Sequence, residues 1–172
     1  YMRLPFDPYI KWSRYTVGNV SWIHRHISHP HRQMFIDFVV KNDYINSVLE
    51  IGPGEMLEYQ QIILEKDVAY TIIDVSKPFL ANCEEKFPEV RRIRSPMKYM
   101  NKFDLTSKQF DVVYGAAVFE HSSNVKRSIK LAIRYSKYFH FVFFKWSFDG
   151  SLDSWLIPRK NYYSSCFNIF LI

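Results

Sequence analysis

The run Ser47-Val48-Leu49-Glu50-Ile51-Gly52-Pro53-Gly54 constrains the fold of this chain more than any other segment. An apolar, partly β-branched stretch that stops at a Gly-Pro-Gly turn reads as a short buried strand. The chain has five glycines in 172 residues, about 3% where about 7% is usual. Two of them, Gly52 and Gly54, share this turn. Glycine spent so sparingly marks a place where the backbone must turn tightly and approach a ligand without a Cβ in the way.

Further strands and helices alternate along the chain. Apolar Met34, Phe35, Phe38 and Val39 at helical spacing predict a helix within Ser21–Asn42. Residues 55–66 read as helical, with Leu57, Ile62 and Ile63 toward the core. Val68–Asp74 is a second strand, and Ser76 caps a helix running to about Phe87. Val90–Arg94, Phe110–Val118 and Phe139–Lys145 follow as strands, with a helix over Asn124–Lys137. The closing CFNIFLI reads as a sixth strand, cut short. This order predicts an α/β fold in three layers, a mostly parallel sheet covered on both faces that lacks its last strand. Residues 1–46 are expected to be an N-terminal extension with a helix on the lid or acceptor side. Residues 47–172 are expected to be the binding domain, truncated at its C-terminus.

Sheets of this kind bind ligands at the carboxyl ends of their strands. The second strand ends in Asp74, roughly twenty residues beyond the glycine turn, where an acid can take the two hydroxyls of a ribose. Strand, turn, helix, strand and terminal acid together point to a nucleoside-containing ligand. A dinucleotide would bring a pyrophosphate to a turn flanked by Glu50 and Glu55. Repulsion there is on the order of several kcal/mol at short range. A ligand carrying an ammonium and a sulfonium suits the same acids, so charge favours S-adenosylmethionine over NAD.

VLEIGPG, YTIIDVS and FDVVYGAAVFEHSSN in succession resemble the motifs of class I S-adenosylmethionine-dependent methyltransferases, over about residues 47–146. The resemblance implies a Rossmann-like methyltransferase sheet and S-adenosyl-L-methionine as cofactor. It implies Glu50 near the methionine ammonium and Gly52, Pro53 and Gly54 along the methionine and ribose. Asp74 would accept the ribose hydroxyls, with Val75 and Ser76 beside the adenine. Ser95 to Met97 would flank the adenine, and Gly115 to Ala117, with Ala116 at the centre, would lie beside the methionine tail. Two departures stand out. Met56 takes the place of a common third glycine, and R-S-P-M follows the third strand where the family often has an acid.

Methyl transfer needs an aligned acceptor and, for a hydroxyl or protonated amine, a base. His121, in F-E-H-S-S after the fourth strand, is the candidate base; capping the following helix is its rival role. His24, His26, His29 and His31 crowd one short segment, but Pro30 interrupts any helix there and no cysteine is near, so no metal is expected. With Arg25 and Arg32, that segment reads as a basic lid for an anionic acceptor. Trp146 and Trp155 bracket a loop suited to a sugar or planar ring. Lys126, Arg127, Lys130, Arg134 and Lys137 read as the solvated face of one helix.

The formal charge of +6 is modest, so nucleic acid is not an expected partner, and the acceptor is expected to be a small molecule or glycan. Cys83 and Cys166 form no disulfide or zinc pattern, and no apolar run reaches membrane-spanning length. A reducing, cytoplasmic setting follows as the expectation. Two alternatives remain: a non-catalytic partner module of the same fold, and a nucleotide-dependent oxidoreductase.

Overall fold

Period-two alternation decides how the central strands are used. In the computed structural model, which describes residues 30–107, 109–116, 118–119, 122, 124–146 and 162–170, β1 (Ser47–Ile51) sends Val48 into one core cluster and Leu49 and Ile51 into another. β2 (Ala69–Asp74) divides likewise: Tyr70 and Ile72 join the first cluster and Ile73 the second. In β4 (Phe110–Ala116), Val112 and Tyr114 oppose Val113 in the same way. Apolar side chains on both faces are the signature of a sheet covered on both sides.

The first face is covered by α1 (Pro30–Lys41), α2 (Leu57–Ile62) and α3 (Lys77–Lys86). They contribute buried Phe35, Ile36, Val39, Tyr59, Ile62, Leu80 and Cys83. The second face is covered by a 3-10 helix (Met97–Lys102) and α4 (Val125–Tyr135), which contribute Met100, Leu131, Ala132 and Tyr135. Burying each large apolar side chain stabilises the fold by about 1.5–3 kcal/mol. Helix ends follow local chemistry. The Ser76 hydroxyl accepts from the Phe79 N–H at 3.3 Å, and the Asn124 side chain accepts from the Arg127 N–H at 3.0 Å.

The described residues form a six-stranded sheet in the order β3-β2-β1-β4-β5-β6, with β3 at Arg91–Arg94, β5 at Ser136–Trp146 and β6 at Tyr162–Phe170. The first five strands are parallel, and β6 runs antiparallel to β5. The fold is therefore the expected α/β sheet, mostly parallel. Strand order reverses between β1 and β4, and a ligand crevice belongs at that reversal. Among the described residues, no helix is long and apolar enough to cross a membrane.

Four expectations need correction. Met34 and Ile63 are 46% and 39% exposed, not core. Helical spacing alone does not say which of two adjacent apolar residues faces the sheet, and here Phe35 and Ile62 do. α4 ends at Tyr135, where the Ser136 hydroxyl donates to the Ala132 carbonyl at 2.9 Å and the backbone turns extended. Lys137 consequently lies on β5. The last strand begins at Tyr162, not Cys166, because its pairing reaches back to Tyr162 opposite Trp146.

One carboxylate ties three strands at their amino ends. Asp111 Oδ2 accepts from the backbone N–H groups of Asn46 and Ser47 at 2.8 and 2.9 Å. Its Oδ1 accepts from Lys137 Nζ at 2.7 Å. Burial pushes its carboxyl up, but Lys137 and these N–H donors outweigh that and hold it below the usual range. Asp111→Asn should lower stability by about 1.5–3 kcal/mol at neutral pH, or roughly 3–12 °C in midpoint. Because the native carboxyl is lowered, its contribution is complete above about pH 4 and fades in acid. Thermal scans of both proteins should therefore converge as pH falls.

Candidate functional site

The glycine turn is built from alternate left-handed residues. Gly52, Gly54 and Met56 have φ of 65°, 58° and 62°. Two are glycines, for which this region carries no steric cost. Met56 is the exception, at the position where the family that the sequence resembles often has a third glycine. Left-handed backbone costs a non-glycine residue about 1–2 kcal/mol, and Met56 offsets this by burying its side chain completely in the first core cluster. The turn is joined to its neighbour strand by the Gly52 N–H, which donates to the Ile73 carbonyl at 2.8 Å.

The bare Cα of Gly52 admits a neighbouring side chain rather than open space. A Cβ there would lie 2.5 Å from Val118 Cγ2, and one at Gly115 would lie 2.7 Å from Phe119 Cε2. Both glycines thus let the segment after β4 close onto the turn. Gly52→Ala should be strained by backbone and contact together. A cost of at least about 1–2 kcal/mol should appear in thermal unfolding, and Val118→Ala should restore only the steric part.

Asp74 ends β2 beside the turn, half-buried, with Oδ1 accepting from the Ser76 N–H at 2.7 Å. Burial pushes its carboxyl up to about 6, against hydrogen bonds from the Ser76 and Val75 backbone. Val75 is half-buried, and the hydroxyl of buried Ser76 is committed to capping α3. The Ser95 N–H donates to the Asp74 carbonyl at 3.0 Å, so Ser95, and Met97 beyond it, continue the same rim. Pro53 is buried, and Met97 and Ala116 are half-buried. Gly52, Asp74, Ser95 and Ala116 thus stand at the carboxyl ends of β1, β2, β3 and β4.

Glu50 lies beneath this rim. It is 3% exposed, on the strand position that faces α1 and α2, with Tyr114 as its register partner on β4. Its Oε2 accepts from the Tyr70 hydroxyl at 2.8 Å. Next to it is an acid that sequence reasoning missed. Glu58 of α2, 2% exposed, pairs with Arg32 Nη1 of α1 at 2.9 Å and accepts from the Tyr114 hydroxyl at 3.1 Å. Phe35 of α1 stacks on Tyr114 with ring centroids 3.8 Å apart, which closes the cluster from above. Among the described residues, Arg32 Nε and Glu58 Oε2 are buried without a hydrogen-bond partner.

Two buried carboxyls lie close here, and Arg32 pairs directly with Glu58 alone. Burial first, then the neighbouring Glu58, push the Glu50 carboxyl well above its usual range, despite Tyr70 and Arg32. Burial raises Glu58 as well, and Arg32 only partly offsets it. The acids pressing on the turn from below are therefore Glu50 and Glu58, whereas Glu55 is only half-buried. The signal for the cluster was period two: Glu50, Tyr70 and Tyr114 occupy first-face positions of three strands. Arg32 carried no such signal, and it faces inward to Glu58 rather than outward as a lid. Arg32→Met should cost about 3–5 kcal/mol at pH 7.5, since Glu58 loses its cation. Because both carboxyls are raised, the loss should shrink as pH falls and they protonate, and thermal scans at pH 7.5 and pH 5 check this.

His121, Trp12, Trp22, Trp155 and the histidines His24, His26 and His29 lie outside the described residues, as do the side chains of His31 and Trp146. Among the described residues no group of three His, Cys, Asp or Glu could hold a metal ion.

A family model described as "Methyltransferase domain" matches residues 49–137. No curated protein matches the chain. Among solved structures, an S-adenosylmethionine-dependent methyltransferase from Aquifex aeolicus is similar at TM-score 0.57 and 18% identity, over 74% of this chain and 70% of that one. The plantazolicin methyltransferase BpumL, solved with a monoazolic desmethylPZN analogue and SAH, is similar at TM-score 0.55 and 17% identity, over 71% and 48%. The [4+2]-cyclase SpnF is similar at TM-score 0.57 and 15% identity, over 69% and 47%. The chain spans about half the length of such solved structures. At these identities the likeness is one of fold.

Proposed function

The chain belongs to the methyltransferase domain family, and from that premise we propose that it binds S-adenosylmethionine and transfers its methyl group to a small-molecule or glycan acceptor. The observation that carries this reading is Asp74, a raised carboxyl at the end of β2, beside a left-handed glycine turn at the strand-order reversal. The residues fit the cofactor's chemistry. Asp74 Oδ1 accepts from the Ser76 N–H, and its carboxylate at the strand end is the acceptor that ribose hydroxyls would meet.

The chemistry supplied by the bound cofactor is an activated methyl group open to in-line attack. The chain's part is to hold and align. Gly52 and Gly54 set the turn, Pro53 stiffens it, and Val75, Ser76, Met97 and Ala116 line the rim. His121, between β4 and α4, is assigned the role of proton acceptor where the acceptor atom carries a proton.

A second reading, a non-catalytic module of the same fold, is favoured by one observation: Val118 packs against Gly52 on the turn itself. One titration separates the two. S-adenosylhomocysteine at a hundred times its dissociation constant should add about 2.7 kcal/mol, roughly 5–11 °C in midpoint. The shift should diminish below about pH 6, as Asp74 takes up a proton. Since the folded carboxyl is raised, the apo protein loses stability as pH rises through that value. Asp74→Asn should therefore raise the apo midpoint at pH 7.5 while abolishing the ligand shift. A cooperatively folding wild type with no ligand shift would favour the non-catalytic module.

A further inference from the structure

The sequence reads Lys126, Arg127, Lys130 and Arg134 as one solvated helix face. The fold adds a second basic element beside them. The Arg127 guanidinium of α4 donates to the Lys98 carbonyl at 2.9 Å and to Asn101 Oδ1 at 3.1 Å, which locks the 3-10 helix against α4. At the far end the Ser107 hydroxyl donates to the Arg134 carbonyl at 3.3 Å, so the two segments run side by side. Lys98 and Lys102 thereby join the four cations of α4 on one face, where Asp104 is the acid of the adjoining described segment.

Lys102, Lys126, Arg127, Lys130 and Arg134 are exposed. Among the described residues, none of the five is in an ion pair. The opposite face differs: there Lys41 pairs with Asp37 at 2.6 Å, and in α3 Lys86 directly follows Glu84 and Glu85. Among the described residues, the exposed cations of this face are thus not neutralised locally. Like charges held together repel, and a polyanion relieves that repulsion.

An aromatic ring sits within this charge. Tyr99 is 39% exposed, with Lys98 Nζ 5.0 Å and Lys102 Nζ 4.8 Å from its ring centroid. Both ammonium groups lie over this part-exposed ring, so a base stacking in their place would release two flexible lysines to neighbouring phosphates, the combination that holds unpaired bases and their backbone. A lipid surface would use the charges but has no base to stack. We propose that the face made by the 3-10 helix and α4 binds single-stranded nucleic acid, with Tyr99 stacking a base and Lys102, Lys126 and Lys130 meeting phosphates. The Tyr99 platform begins just past Ser95 and Met97, so a bound strand passes the rim of the candidate site.

The test is fluorescence anisotropy with a labelled mixed-sequence RNA of about 16 nucleotides, across a salt series. The combined variant Lys102→Glu, Lys126→Glu, Lys130→Glu should bind at least tenfold more weakly. It should also lower the slope of log affinity against log salt by about 2, at roughly 0.7 per phosphate contact. The matched variant Lys41→Glu, Lys77→Glu, Lys86→Glu has the same net charge and should bind as wild type does. Tyr99→Ala should lose about fivefold or more for the single strand, and less for the duplex of the same sequence. Circular dichroism melts confirm folding, and the single Lys126→Gln and Lys130→Gln variants give a graded series if the triple variant unfolds. Equal losses in the two triple variants, or binding to phosphatidylserine vesicles with none to RNA, would overturn the proposal. It does not rest on methyl transfer, so a failed S-adenosylhomocysteine titration leaves it standing.

Discussion

Two neighbouring buried carboxyls, one of them paired with a guanidinium, set the terms for the rest of the structure. Glu50 is drawn inside because β1 alternates: its neighbours Leu49 and Ile51 face one core, which leaves Glu50 facing the other. A charge there is tolerated only with partners, since an unpaired ion in a protein interior costs several kcal/mol. Tyr70 and Tyr114 supply hydroxyls from the flanking strands, and Arg32 supplies the cation. Through Arg32, helix α1 is fastened to α2 over the carboxyl half of the sheet. The helix that closes the core and the charge that conditions the site are one arrangement.

That arrangement explains the character of the rim above it. Glu50 and Glu58 lie buried below it, Gly52 and Gly54 turn the backbone left-handed, and burial raises Asp74 at the end of β2. The turn is also under load. Met56 holds a left-handed conformation that a glycine would adopt without cost, and what it gains is a fully buried side chain joining α2 to the core. On the other side, Val118 and Phe119 use the bare backbone of Gly52 and Gly115 to pack close. The glycine turn therefore serves two masters, the ligand rim and the seat of the segment after β4.

Much of this was legible residue by residue. The strands announced themselves because apolar runs ended at turn residues, and Ser76 and Asn124 marked helix starts by capping chemistry. Gly52 and Asp74 were predictable from strand ends, because parallel strands share one carboxyl edge, whereas Ser95 followed only from the family resemblance. Glu58 and Arg32 were not. Each sits on a short helix whose inward face depends on how that helix is set on the sheet, and the same uncertainty misplaced Met34 and Ile63.

What the sequence by itself determined was local: where strands and helices begin, which turn needs glycine, and which acid ends the second strand. These depend on dihedral preference, side-chain period and capping, and each acts within a few residues. The tertiary structure alone decided the strand order, the antiparallel course of β6, the meeting of Arg32 with Glu58, and the alignment of the 3-10 helix with α4. Those features join segments distant along the chain. They are selected by the burial of both sheet faces together, a condition that no single stretch of residues can satisfy or reveal.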